Sequence, residues 1–318
     1  EAVLRIKTNL EAEDPAERDW AAARIVDKPQ HYKIKNVYVW PTYNFSAAID
    51  DHLMSITLII RGQQHASNVK KQKWIFNHFG WEYPHAFHHG KLSMPDVELS
   101  KTKMMEGMTS GKYEGWDDPR LFTIASLRRK GFKPDAFIDM MIDLGVKPSD
   151  TELSLDLLAS YNKPYVQNAV PYLLVQDPIQ LDVDFGPEMD VKMEGKTFHL
   201  KQGIQSFYIP KKDIQQAKMG STLRLRNAYV IKINHVEELK LNAQFVSTAK
   251  IENTTQTPWL IGGVDVRITM PDGSFTFGIA DDALRESEVD NIVHFPQFGY
   301  CRVDEKTSRE IRLWFTHP

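Results

Sequence analysis

Cysteine is nearly absent from this 318-residue chain, with Cys301 the single example. That scarcity excludes an internal disulfide framework and a cysteine-based zinc site, and it fits a reducing cytosol. Long apolar runs are missing too. No stretch approaches the roughly 18 residues that a membrane-spanning helix needs, and the charged opening "EAVLRIKTNLEAEDPAERDW" cannot serve as a secretory signal. Nor is there an excess of charge of one sign: 39 Lys+Arg against 42 Asp+Glu leave a formal charge of −3. Any binding to nucleic acid must therefore come from local patches. There is no internal repeat, no low-complexity tract and no initiator methionine. Val3, Leu4 and Ile6 read as a strand already under way, so a piece of a longer protein is expected.

What is present is the composition of a globular protein, 42% hydrophobic and 25% charged, long enough for two or three domains. Three zones follow one another. From Val37 to Pro95, apolar strands alternate with helical segments. Ile56 to Ile60 form a short apolar run ending in Arg61-Gly62, the pattern of a buried parallel strand that opens onto a loop. In open α/β sheets ligands bind beyond such strand ends, which places Arg61 at a candidate site. "SNVKKQKWIFNHFGW" then reads as a helix closed near Gly80. From Asp117 to Tyr161 the chain reads as helical. Asp118-Pro119 looks like a helix cap and first turn, with Leu121, Ile124 and Leu127 at three-residue spacing and Gly131 as a stop. A second helix starts at Pro134-Asp135 with Phe137, Met141 and Leu144 on one side, and "TELSLDLLASYNKP" gives a third. From about Pro171 onward, alternating and β-branched segments such as "DPIQLDVDF" and "GVDVRITMPDGSFTFGIA" predict many short strands, read as antiparallel barrels.

Several residues could carry chemistry. Lys101 and Lys103 flank Thr102 after Ser100 in a run without apolar periodicity, read as a flexible loop able to follow phosphate charge, or as an ordinary solvated loop. A guanidinium at a buried strand end needs an anionic partner, so Arg61 should meet Asp50, Asp51 or a ligand carboxylate. His85 and His89 have the i, i+4 spacing of a helical metal pair, but Pro84 and Gly90 interrupt the segment and no metal site is assigned. Arg224 and Arg226 share one face of a strand about 7 Å apart, suited to neighbouring phosphates or to a plain solvated face.

The order of "YVWPTYNFSAAIDDHLMSITLIIRG", "ELSKTK", "GWDDPRLFTIASLRRKG" and "LRLRNAYVIK" resembles the archaeal-type glutamyl-tRNA synthetases and the related glutaminyl enzymes, over essentially the whole chain. The resemblance implies an α/β plus all-β protein. Residues 1–105 would be the second half of a Rossmann-type class I catalytic domain with its signature loop, and 106–168 a helical connecting domain. Residues 169–318 would form two anticodon-binding antiparallel barrels, the distal one near 256–292. It implies ATP and Mg2+, glutamate, tRNA(Glu) and a cytoplasmic monomer. Charging of tRNA(Gln), a glutaminyl activity and a non-catalytic tRNA-binding paralogue or fragment are left as alternatives. "ELSKTK" corresponds to the Lys-Met-Ser-Lys-Ser loop, so Lys101 would steady the triphosphate with support from Ser100, Thr102 and Lys103. Arg61 matches the arginine that takes the substrate side-chain carboxylate, Tyr43 a tyrosine of the same pocket, and His65 lies at its edge. Arg224, Arg226 and Asn227 would meet tRNA, while Trp116–Arg120 would hinge the loop to the helices. The pattern is broken at Leu58, Gln64 and Gln297. The His-Ile-Gly-His motif of an upstream half is not in this sequence, so residues 1–318 alone are expected to be inactive in adenylate formation.

Overall fold

The computed structural model describes residues 2–95, 97–214, 219–237, 240–251 and 254–318. The chain divides into two compact units, residues 1–93 with 143–153 and residues 94–142 with 154–318.

The first unit opens with an antiparallel sheet of β1 (Val3–Ile6), β2 (Trp20–Ile25) and β3 (Val39–Pro41). Helix α1 (Tyr43–Leu53) follows, then β4 (Leu58–Gly62), α2 (Asn68–Phe79) and β5 (His85–His89), with β4 and β5 paired in parallel. The α2 stop is as the sequence predicts: Gly80 takes a left-handed φ of 70° and its N–H closes onto Asn77 and Phe76. Trp20, Ala48, Ile75 and Phe76 form the core, against which Trp81 and Tyr83 pack edge-on to Phe76. Strand β4 corrects the sequence reading. It is parallel, but Leu58 and Ile60 remain 48% and 55% exposed, because alternate residues point to opposite faces and the face they share is open. Further on, β6 (Leu92–Ser93) pairs with a segment from the 143–153 stretch, Thr151–Glu152, through Leu92–Thr151.

In the second unit α3 (Lys101–Thr109) is followed by α4 (Ile124–Lys130), α5 (Pro134–Leu144), β7 (Thr151–Glu152, belonging to the first unit) and α6 (Leu155–Val166). Asp118-Pro119 does not cap a helix. Thr123 does, its Oγ1 accepting from the Ser126 N–H at 3.0 Å. Leu121 is buried ahead of α4 and Ile124 is 78% exposed, so the three-residue spacing spanned a turn and a helix rather than one apolar stripe. On α5 the buried positions are Ala136 and Met140, one residue before the pair Phe137 and Met141 that the sequence suggested. Gly131 does end α4, at φ 93°; a Cβ there would come within 2.6 Å of Ile292 Cδ1.

Two sheets complete this unit. The strands of the first are β10 (Pro178–Gly186), β13 (Gly203–Pro210), β14 (Thr222–Leu225), β15 (Val230–Val236), β16 (Lys240–Ser247) and β17 (Thr255–Thr257), in the order 13-10-16-15-14-17, with the hairpin β11 (Met189–Met193)/β12 (Lys196–Leu200) beside it in the chain. The second is built of β8 (Val170–Pro171), β9 (Leu174–Gln176), β18 (Val264–Thr269), β19 (Phe275–Ala280), β20 (Ile292–Phe295), β21 (Gly299–Lys306) and β22 (Glu310–His317), in the order 8-20-21-22-18-19-9. The expectation of two antiparallel barrels is corrected here: both sheets are mixed and open. β10 runs parallel to β16, β14 to β17, β18 to β22 and β20 to β8. Alternation reports which face of a strand is buried and is blind to the direction of its neighbour. Leu181, Val183, Ile231, Leu241 and Trp259 sit in the core of the six-stranded sheet; Val266, Ile268, Val303 and Leu313 sit in that of the seven-stranded sheet.

Lys130, at the end of α4, is only 4% exposed, and its Nζ donates to the Leu121 carbonyl at 3.2 Å. Burial pulls its ammonium down to about 8, against the opposing pull of Asp118. Between that value and the ordinary lysine range the unfolded chain binds more protons than the folded one, so stability rises with pH across this window. Relative to Lys130→Met, the wild-type chain should gain about 2 kcal/mol from pH 8 to pH 10 in urea unfolding. Parallel pH curves for the two proteins would refute this.

Candidate functional site

In the first unit a polar chain runs through otherwise apolar packing. Arg61 stands on β4 one residue before its end, paired in register with His88. Its Nη2 donates to Gln72 Oε1 at 3.0 Å and to the Tyr83 hydroxyl at 3.3 Å, and that hydroxyl donates to the same Gln72 oxygen at 2.8 Å. Gln72 is fully buried on α2 and passes the chain on: its Nε2 donates to Asn44 Oδ1 at 3.4 Å, Asn44 donates to Asn68 at 3.2 Å, and Asn68 lies 3.5 Å from His65 Nδ1. Tyr43, beside Asn44 at the start of α1, is 58% exposed.

The expectation that Asp50 or Asp51 pairs with Arg61 fails: among the described residues no carboxylate forms an ion pair with it. Asp51 feels the guanidinium at a distance, but burial outweighs it and holds that carboxyl above its usual range. Burial likewise raises the Tyr83 phenol, against the pull of Arg61. The Arg61 Nε and Nη1 are buried and meet no acceptor among the described residues. Buried donors left without partners are costly, and here they belong to a charged group.

Sequence reasoning missed Gln72, Tyr83, Asn44 and Asn68. A signal existed: Gln72 lies four residues after Asn68 and three and four before Ile75 and Phe76, which places a polar amide on the buried stripe of α2.

The residues read as a flexible lysine loop are instead the first turn of α3. Ser100 is its N-cap, with Oγ accepting from the Lys103 N–H at 3.5 Å. Met104 and Gly107 face inward with Tyr113 and Leu121, at the helical spacing obscured by the surrounding polar residues. The Glu98 carboxylate accepts from the Ser100 N–H at 2.8 Å and pairs with Lys103 Nζ at 3.4 Å; those contacts, the backbone one first, hold it below its usual range. Lys101 and Thr102 are exposed, and among the described residues Lys101 has no ion-pair partner. The α3 N-terminus adds free backbone N–H groups and the positive end of the helix dipole to these ammonium groups.

The Trp116–Arg120 segment is a locked turn. Buried Asp118 accepts from the Glu114 and Arg120 N–H groups at 2.9 and 3.0 Å and from Arg120 Nε and Nη2 at 2.8 and 2.7 Å. Burial pushes its carboxyl up, but the guanidinium and the two amides outweigh that and leave it below the carboxylate range.

Of the three residues expected to meet tRNA, Arg224 lies on β14 and Arg226 just past it, both half-buried. Arg224 donates to the Ala249 and Ala228 carbonyls, while Arg226 pairs with Glu194 at 3.3 Å. Asn227 adopts φ 59° and donates to the Lys192 carbonyl at 3.0 Å. Arg226 and Glu194 line a cleft of about 160 Å³ with Lys212, Gln256 and Gln297. His85 and His89 fall on β5, where four residues span ~13 Å along the strand, so the helical pairing considered for them does not arise.

Residues 1–168 match the family described as tRNA synthetases class I (E and Q), catalytic domain. Over its whole length the chain is 39% identical to a glutamate–tRNA ligase of Thermococcus kodakarensis and 38% identical to one of Pyrococcus horikoshii. It spans 58% of the length of each of those relatives. A solved glutamate tRNA ligase from Elizabethkingia meningosepticum, in complex with its amino acid, aligns at 24% identity and a TM-score of 0.31 over 41% of this chain and 31% of that one, too low for geometry to be carried across.

Proposed function

Since this chain belongs to the class I tRNA synthetases of the glutamate and glutamine group, we propose that the longer protein carrying it ligates L-glutamate to tRNA(Glu) through a glutamyl-adenylate. The observation that carries this reading is Arg61, a guanidinium fixed through Nη2 with its Nε and Nη1 donors buried and unmatched. Whichever Nη2 hydrogen Gln72 holds, the other lies in a fork with Nε or with Nη1, opposed only by the long bond to Tyr83. A carboxylate can displace that bond and accept two parallel hydrogen bonds. A glutamine amide would set its own N–H groups against the guanidinium, so glutamate is the favoured substrate. Tyr43 and His65 would line the same pocket.

In the first step the α-carboxylate of glutamate attacks the α-phosphorus of ATP, forming the acyl-phosphate bond as the bond to pyrophosphate breaks. The tRNA 3′-terminal hydroxyl then takes the glutamyl group and releases AMP. Lys101 would meet the charge that grows on the pyrophosphate, with Lys103, Thr102 and the Ser100-capped helix start in support. Magnesium would come with the ATP phosphates and neutralise charge on them during the transfer. Residues 1–105 would thus be part of the catalytic domain, 106–168 a helical connector, and the sheets of 169–318 the grip on the anticodon arm through Arg224, Arg226 and Asn227.

Amino-acid-dependent pyrophosphate exchange on the full-length protein tests the reading. Glutamate should support exchange at least 10³-fold better than glutamine, in line with the penalty for mispairing buried polar groups. Preferred exchange with glutamine would give a glutaminyl enzyme, and exchange with neither would leave a tRNA-binding paralogue; either result rejects the proposal.

A further inference from the structure

Gln72 poses a separate question. A fully buried polar side chain beside a half-buried guanidinium would ordinarily be expected to be acidic, because a carboxylate would satisfy and neutralise Arg61 at once. Here the partner is an amide. Its oxygen accepts from Arg61 and from Tyr83, and its nitrogen donates to Asn44, so the amide orientation is settled by three neighbours. The guanidinium is thereby held in place while its full positive charge stays available.

We infer that Gln72 is a specificity-determining positioning residue. It is a neutral anchor that fixes the Arg61 guanidinium through Nη2 without cancelling its charge, which keeps the remaining donors free for an acidic substrate side chain. The inference rests on the reading of Arg61 as the substrate contact and adds the residue that keeps it competent. Three features of the polar chain support it. The Oε1 of Gln72 is shared between Arg61 and Tyr83, which restrains the arginine against rotation. Asp51, a carboxylate close enough to act on Arg61, is kept out of direct contact and has its charged form disfavoured by burial. The chain continues through Asn44 and Asn68 to His65, all neutral hydrogen-bonding groups or a histidine, so no acidic group enters it.

The test is pyrophosphate exchange by the full-length protein as wild type, Gln72→Glu, Gln72→Met, Tyr83→Phe and Arg61→Leu, with KM measured for glutamate and for ATP. Gln72→Glu retains the size and the acceptor but places a carboxylate 3.0 Å from Nη2. It should raise KM for glutamate about 30-fold, with kcat and KM for ATP within about twofold of wild type. Gln72→Met, of similar size and uncharged, frees the arginine without neutralising it and should raise the same KM by about fivefold. A residue needed only for packing would give the opposite order or move both substrates together. Circular dichroism identifies any variant that fails to fold. If Gln72→Glu does so, Gln72→Met and Tyr83→Phe carry the test, each with an expected rise of about threefold to fivefold in KM for glutamate alone. A folded Gln72→Glu with KM for glutamate within twofold of wild type overturns the inference, as do unchanged values in both substitutes. If Arg61→Leu impairs glutamate use and the Gln72 variants do not, the inference fails and the glutamate reading stands. If the wild type does not use glutamate, both fall.

Discussion

Replacing Arg61 by leucine in the full-length protein should lower kcat/KM for glutamate in pyrophosphate exchange by roughly 10³-fold, about 4 kcal/mol of binding. The loss should appear in KM for glutamate, with KM for ATP unchanged, because the proposed contact would be made to the ground-state side chain as well as in the transition state. Arg61→Lys should recover little of it. An ammonium is a point charge, and it cannot hold Gln72 and Tyr83 while also offering a planar fork to a carboxylate. Stability makes a useful control. In the free protein Arg61 buries donors that meet no acceptor among the described residues, so its removal takes away a desolvation cost together with two hydrogen bonds. Arg61→Leu should therefore unfold within a few degrees of wild type, although Gln72 loses a donor. A protein that melts normally and binds glutamate as before would show that the acidic side chain is recognised elsewhere.

The contrast between Arg61 and Lys101 explains how much the sequence could say. Arg61 is legible because a run of apolar residues ending in Arg-Gly marks a strand end, and that much holds in β4. Its anchors are not legible there, because Gln72, Tyr83 and Asn44 come from separate elements whose approach only tertiary packing sets. Gln72 did leave a trace as a polar residue in the buried stripe of α2, but one amide in a helix has many uses. Lys101 is legible in the sequence, but its helical context is not. The apolar side of α3 consists of a methionine, a glycine and another methionine, too weak a stripe against five polar neighbours to register as helical. Turns and stops fared better. Gly80 and Gly131 end their helices with left-handed backbone, as local chemistry dictates. Asp118 shows the limit of such rules: Asp-Pro is a fair helix start, yet the carboxylate found Arg120 and two amides and closed a turn instead. In the β half, alternation identified the strands one by one, whereas the parallel pairings that leave both sheets mixed depend on which distant strands meet.

Lys101→Ala should reduce kcat for exchange by about 10² to 10³-fold while leaving KM for glutamate within twofold. The position is exposed, at the first residue of α3, and Lys101 has no ion-pair partner among the described residues. Alanine is at least as good a helix former, so the variant should fold as the wild type does. What it loses is a mobile positive charge at a helix start whose backbone N–H groups and dipole already favour anions. On the proposed role that charge would matter most when pyrophosphate departs, which places the expected effect in kcat. Lys103→Ala supplies the internal comparison. Its ammonium lies 3.4 Å from Glu98, so part of its field is already cancelled, and its loss should cost less than about tenfold. Removing that carboxylate with Glu98→Gln should raise the contribution of Lys103, making Lys103→Ala more damaging in that background than in the wild type. If Lys103→Ala instead proves the more harmful of the two single changes, the phosphate contact belongs to Lys103, and the Glu98 pair is a resting contact that the nucleotide breaks.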